Sequence, residues 1–178
     1  ESEKAPDVFD IDGTPDPEEY EDAYNRYFQA DLPVPENKPH AFRVSSPLLP
    51  MYQFRVTSGI LPQEKVREVA KSFGVSVTEL FCAAIMDALQ DIRESYPKWM
   101  RKRSGPMATI EVPINMRRIY PSRTMRNFSL YYMPSIDLRL GHYDFGEIAE
   151  LVHHRMKSES PEREIPRQIA RNVGISRK

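Results

Sequence analysis

Glycine and cysteine are scarce in this chain of 178 residues, and each scarcity removes a class of chemistry. Seven glycines occur, and none falls in the spacing of a Gly-rich phosphate loop of either common type. The one cysteine, Cys82, cannot form an internal disulfide, and there is no CxxC. A lone thiol fits a reducing compartment, so a cytoplasmic location is expected. Cys82 lies inside an apolar helical pattern and reads as a small core residue rather than a nucleophile. There is no GxSxG elbow. No apolar run reaches membrane-spanning length, so no membrane span is expected. The first residues do not read as a signal peptide. The start at Glu-Ser-Glu-Lys, without Met, fits a fragment, natural or engineered, or a processed form.

Proline and charge are plentiful, and both are unevenly spread. Eight of the 16 prolines fall within residues 1–50: Pro6, Pro15, Pro17, Pro33, Pro35, Pro39, Pro47 and Pro50. Proline neither donates to a ladder nor continues a helix, so residues 1–50 read as an acidic linker. A short helix over Pro17–Phe28 is the exception, because Tyr20, Ala23, Tyr24, Tyr27 and Phe28 share a face. Those aromatic residues imply that the linker packs on something. Residues 1–37 carry 12 acids against 2 bases, and residues 38–178 carry 14 against 23, which together give the net charge of −1. The basic body is either an ordinary solvated surface or the seat of an anionic ligand. Its aromatic residues alternate with core positions rather than with Arg and Lys. No base-stacking platform results, and no nucleic acid partner is expected.

Residues 51–178 carry alternating secondary-structure signals. Met51–Ser58 alternates like a strand, with Tyr52, Phe54 and Val56 on one side. Pro62–Phe73 reads as a helix ended by Gly74. Ser76 and Glu79 have capping-box spacing and open a second helix. Val77, Leu80, Phe81, Ala84, Ile85, Ala88, Leu89 and Ile92 follow its period, which predicts heavy burial, and it stops before Pro97. Trp99–Pro106 reads as a basic loop. Thr109–Met116 and Phe128–Leu138 read as strands, with Pro113 at an edge or bulge and a bend at Pro134. Asp144 and Glu147 cap a third helix with Phe145, Ile148, Val152 and Met156 inward. Pro161–Val173 reads as a weaker helix interrupted by Pro166. Three strands and interleaved helices predict an α/β fold with a small mixed sheet covered by helices. So thin a sheet implies a missed strand or one supplied from elsewhere. His153 and His154 are adjacent on a helix and point about 100° apart. With no ligand at i+4, they read as boundary or surface histidines, and no metal is expected.

Three segments carry a family resemblance. Glu111-Val112-Pro113-Ile114-Asn115-Met116-Arg117-Arg118 resembles the V-P-V-N-L-R strand of the condensation-domain and alcohol acetyltransferase families. Arg126-Asn127-Phe128-Ser129 resembles the G/R-N-F-S that follows it. Gly74-Val75-Ser76-Val77-Thr78-Glu79-Leu80, then Ala83-Ala84-Ile85, resembles the G-V-S-x-T-D-x-L-x-A-A helix that precedes both. The order matches, and the resemblance spans roughly Tyr52 to Met156.

The resemblance implies one half of a two-layer α/β sandwich of the chloramphenicol acetyltransferase type. Residues 1–50 would then be the crossover between halves, and 51–178 the C-terminal domain. In such enzymes a tunnel between halves brings acyl-CoA, or an acyl carrier protein, to an alcohol or amine acceptor. The general base is the second His of an HHxxxDG motif in the N-terminal half. His153-His154-Arg155-Met156-Lys157-Ser158-Glu159 lacks the Asp and Gly and follows the strand it should precede. No catalytic residue is therefore expected in this chain, which would need the N-terminal half as its partner and be inactive alone. Acyl-CoA is expected as co-substrate, with no covalently bound cofactor. Asn115, Arg117, Thr124, Asn127 and Ser129 would bind substrate or the oxyanion. For Asn115 and Asn127 the alternative is bonding to nearby backbone. Arg101, Lys102, Arg103, Arg117, Arg118, Arg123 and Arg126 would meet CoA phosphates or form a solvated basic surface.

Overall fold

The computed structural model describes residues 13–33, 40–158 and 161–176. The acidic residues before Gly13 and the prolines Pro35 and Pro39 lie outside them. The described chain mixes helices with short antiparallel strands. The helices are α1 (Ala23–Arg26), α2 (Gln63–Ser72), α3 (Val77–Ser95), α4 (Lys98–Arg103), α5 (Phe145–Ser158) and α6 (Pro161–Ser176). The strands are β1 (Met107–Thr109), β2 (Val112–Asn115), β3 (Ser129–Tyr132) and β4 (Ser135–Asp137). No single helix among the described residues is long and apolar enough to cross a membrane.

β1 pairs with β4 and β2 with β3, all antiparallel. The two pairings are one ribbon. Thr109 faces Ser135, and three residues on Val112 faces Tyr132, so the register continues without a slip. Backbone bonds from Ile110 N to Pro134 O, Leu138 N to Pro106 O and Met116 N to Phe128 O hold the same register across the gap and at both ends. Proline accounts for the interruption, since Pro134 has no N–H to donate. The buried side chains of the ribbon are all even-numbered: Ala108, Met116, Phe128, Leu130, Pro134, Ile136 and Leu138. Odd-numbered Glu111, Pro113, Asn115 and Asn127 are exposed. That alternation follows from the two-residue period of a strand.

One ribbon serves two hydrophobic clusters. Its β1–β4 end packs Ala108, Ile136 and Leu138 against Ala83 and Met86 of α3 and Ile148, Ala149 and Val152 of α5. Its β2–β3 end packs Met116, Phe128 and Leu130 against Ala23 of α1 and Ile165, Ile169 and Val173 of α6. α6 continues through Pro166. Ile165, Ile169 and Val173 are buried at helical spacing, and that burial offsets the one backbone bond the proline forfeits.

Several expectations hold locally. Gly74, at φ 69, ends the turn after α2. The Ser76–Glu79 capping box is complete. Asp144 and Glu147 form a second one, each backbone N–H donating to the other's carboxylate at 2.9 Å. Others fail. Met51–Ser58 forms no strand: Tyr52 sits at φ 65 and Phe54 is 86% exposed. A strand is stable only with a partner for its ladder, and among the described residues none lies alongside. The expected loop over Trp99–Pro106 contains α4, because Lys, Met and Arg favour helix once Pro97 has started it. The expected helix over Pro17–Phe28 splits into a 3-10 turn, Pro17–Tyr20, and α1, because Asp22 caps Tyr24 N and restarts the chain. The burial of α3 is one-sided: Leu80, Cys82, Ala83 and Met86 are inside, but Phe81, Ile85 and Ile92 are exposed. Among the described residues the pairing is antiparallel apart from one parallel bridge, Ala41 to Met107, so the expected mixed sheet reduces to an antiparallel ribbon.

Candidate functional site

The expected substrate-binding residues gather at the β2–β3 end of the ribbon and in the connection joining those strands. The fold does bring them together. Asn115 and Ser129 are direct register partners. Arg117, Thr124 and Asn127 lie in the connection immediately beyond. What each side chain does there is local.

Asn115 accepts a bond from Arg117 N at 3.1 Å and caps the single 3-10 turn Met116–Arg118. Arg117 donates from Nε and Nη2 to Thr124 O, at 3.0 and 2.6 Å, and from Nη2 to Arg126 O at 2.7 Å. Its guanidinium fork thus closes the connection on itself. Thr124 is 1% exposed. Its hydroxyl donates to Glu21 O at 2.5 Å and accepts from Arg126 N at 3.1 Å. Ser129 Oγ donates to Asn127 Oδ1 at 2.8 Å. Backbone bonding, the alternative raised for Asn115 and Asn127, is present at Asn115. Asn127 differs only in taking a nearby side chain as its partner.

The partner of this end is the residue 16–28 segment, which docks across the connection. Tyr24 OH donates to Ser129 O at 2.6 Å and accepts from Ser129 N at 3.1 Å. Met125 N donates to Glu19 O at 2.8 Å. Tyr27 OH donates to Pro121 O, and Arg123 pairs with Asp16. Tyr24 meets Phe128 edge-on with centroids 5.2 Å apart, and Tyr27 packs on Tyr120 at 4.8 Å. Burial raises the Tyr24 phenol above its ordinary value and keeps it a donor. Tyr24, Tyr27 and Phe28 thus have the packing surface their composition implied, whereas Tyr20 is exposed.

The basic residues divide into two groups. Arg117, Arg118, Arg123 and Arg126 sit at the β2–β3 end. Arg101, Lys102 and Arg103 lie on α4, beside the opposite end at Met107 and Asp137. Nine residues of ribbon at roughly 3.3 Å each put about 30 Å between them. The two groups therefore do not form one phosphate cradle.

A pair invisible in the sequence joins α3 to α5. His153 Nδ1 lies 3.1 Å from Glu79 Oε1. Glu79 is buried, and its other oxygen accepts from Ser76 N at 2.6 Å. Burial opposes its charge, but the bonds from Ser76 and His153 outweigh burial and lower its pKa. The residues are 74 apart in sequence, so no local pattern announces the contact. His154 points into solvent, 6.0 Å from His153 between ring centroids. Cys82 is buried, and burial, with Glu79 nearby, pushes its thiol up, as suits a core residue. Among the described residues no cluster of three His, Cys, Asp or Glu could hold a metal.

No family model, no curated protein and no solved structure matches this chain.

Proposed function

We propose that the chain is the C-terminal half-domain of an acyltransferase that moves an acyl group from CoA or a carrier thioester to an alcohol or amine. One observation supports the reading: the three family-like segments fall, in order, on a capped helix and on two strands paired with each other. The G-V-S-x-T-E segment becomes the capping box of α3, V-P-I-N becomes β2, and the N-F-S segment leads into β3 with Ser129 opposite Asn115. In this reading the general base comes from an HHxxxDG motif elsewhere in the protein. The chain itself supplies a wall of the tunnel and the ordered β2–β3 end. A two-layer sandwich, completed by strands beyond these residues, belongs to the same proposal. So does a cytoplasmic setting.

The test is an assay of CoA release from acetyl-CoA with an alcohol acceptor. The intact parent protein should turn over, substitution of the second His of its HHxxxDG should abolish turnover, and the 178-residue chain should be inactive. Activity in the chain alone would overturn this division of labour.

A second reading has its own support. Asn115, Arg117, Thr124, Asn127 and Ser129 all spend polar groups on neighbouring atoms, which suits a non-catalytic binding or assembly module of the same fold. A parent sequence without HHxxxDG would favour it.

A further inference from the structure

A cleft of about 550 Å³ opens where three elements meet at the β1–β4 end of the ribbon. The end of α3 contributes Arg93, α4 contributes Lys98, Arg101 and Lys102, and the turn after β4 contributes Arg139 and His142. Five permanent cations thus face one space on a chain whose net charge is only −1. Lys98, Arg101 and Lys102 share a face of α4 by the i, i+3, i+4 rule.

The carboxylates in reach are already committed. Glu94 lies 3.0 Å from His142 Nδ1, and that bond, with Asp91 and Asp87 near, raises the imidazole's pKa. Asp137 takes Arg139 in a fork, at 2.9 Å and 2.6 Å. Arg93 Nη1 donates to Leu138 O at 2.9 Å, which fixes the guanidinium in the wall, and its buried Nε has no partner among the described residues. Lys98, Arg101 and Lys102 form no ion pair among the described residues. The cleft therefore holds more positive charge and more donors than the protein satisfies. Like charges gathered this closely repel unless an anion joins them.

We propose that this cleft binds a diphosphate group. A single phosphate would fill little of the volume, which falls in the range of small-ligand sites. Two linked phosphates present several acceptors to a fork from Arg101 and to point charges from Lys98 and Lys102. No Phe, Tyr or Trp lines the cleft, and the His142 ring is held by Glu94, so recognition rests on the phosphates rather than on a nucleobase. Arg101 and Lys102 are candidates for CoA phosphates in the acyltransferase reading, but the diphosphate site rests only on the cleft's own charge and volume, and its test involves no acyl transfer.

Titration calorimetry of the full chain tests this with inorganic pyrophosphate, ADP and inorganic phosphate as probes. Pyrophosphate and ADP should bind with similar affinity, and phosphate at least about tenfold more weakly, since it forfeits charge-assisted bonds. ADP binding without pyrophosphate binding would show that the nucleoside is read and would overturn the proposal. So would heats no larger for pyrophosphate than for phosphate. The double variant Lys98→Glu/Arg101→Glu should weaken pyrophosphate at least about tenfold. Arg67→Glu/Lys71→Glu, on exposed α2, changes net charge equally and should leave binding within about twofold. Equal losses in both would mean diffuse attraction and no site. Circular dichroism confirms that each variant is folded before its titration counts.

Discussion

Replacing Arg117 tests whether its guanidinium is a staple of the connection or a ligand for anions. It donates three hydrogen bonds to two backbone carbonyls, Thr124 O and Arg126 O. A bond with one charged partner contributes roughly 1.5–3 kcal/mol, but these three share one partly exposed group and do not add. Arg117→Ala should therefore cost about 2–3 kcal/mol of unfolding free energy. Arg117→Lys separates the two roles. An ammonium keeps the charge but lacks the planar fork, so it cannot span both carbonyls. Its expected cost is about 1–2 kcal/mol, a large part of the alanine loss. Urea unfolding reads both values as shifts in midpoint at unchanged slope. Hydrogen exchange should quicken at residues 117–126, and also across 16–28, because Thr124 and Met125 hold Glu21 O and Glu19 O from that connection. If Arg117→Lys lies within about 0.5 kcal/mol of wild type, charge alone suffices and the staple argument is wrong.

Tyr24→Phe removes a hydroxyl that serves both Ser129 N and Ser129 O, so it should cost about 1–2 kcal/mol in the same urea assay and loosen residues 16–28 by hydrogen exchange. Gly105→Ala places a Cβ against the Ala41 carbonyl at φ 84, where glycine alone is comfortable. Its melting temperature should fall by several degrees, roughly what more than 1 kcal/mol gives in a domain of this size, and an unchanged value would contradict the close approach. Asp137 is held near a pKa of about 2, first by the Arg139 side-chain bond and then by its backbone N–H. Its folded pKa lies below the ordinary 3.8, so its contribution is present above about pH 4 and is lost as pH falls toward 2. Asp137→Asn should flatten the stability curve across that window and leave the curve's shape near neutral pH unaltered.

The residues settle by themselves whatever depends on near neighbours. Ser76 and Glu79 are three apart, so their reciprocal bonds form wherever the helix forms. Gly74 after α2 and the interruption at Pro134 follow from backbone freedom and a missing donor. The even-numbered inward face of the ribbon follows from a two-residue period. Tertiary structure decides what those patterns leave open. Met51–Ser58 alternates as cleanly as the ribbon does, yet it forms no strand, because a ladder needs a neighbour and alternation does not supply one. The apolar positions of α3 run past a single face, and only its packing on α5 and β1 selects Ala83 and Met86 over Phe81 and Ile85.

The same division holds for the candidate sites. Asn115, Arg117, Thr124, Asn127 and Ser129 form one neighbourhood, as their motifs suggest. The local partners their side chains take, such as Glu21 O for Thr124 and Asn127 Oδ1 for Ser129, depend on how the 16–28 segment and the connection fold over them. Arg93, Lys98 and Arg139 are unremarkable as separate basic residues. The turn after β4 and the end of α3 bring them to one cleft. Charge along a chain is local information, whereas the field it produces depends on distances that only the folded ribbon and its helices set.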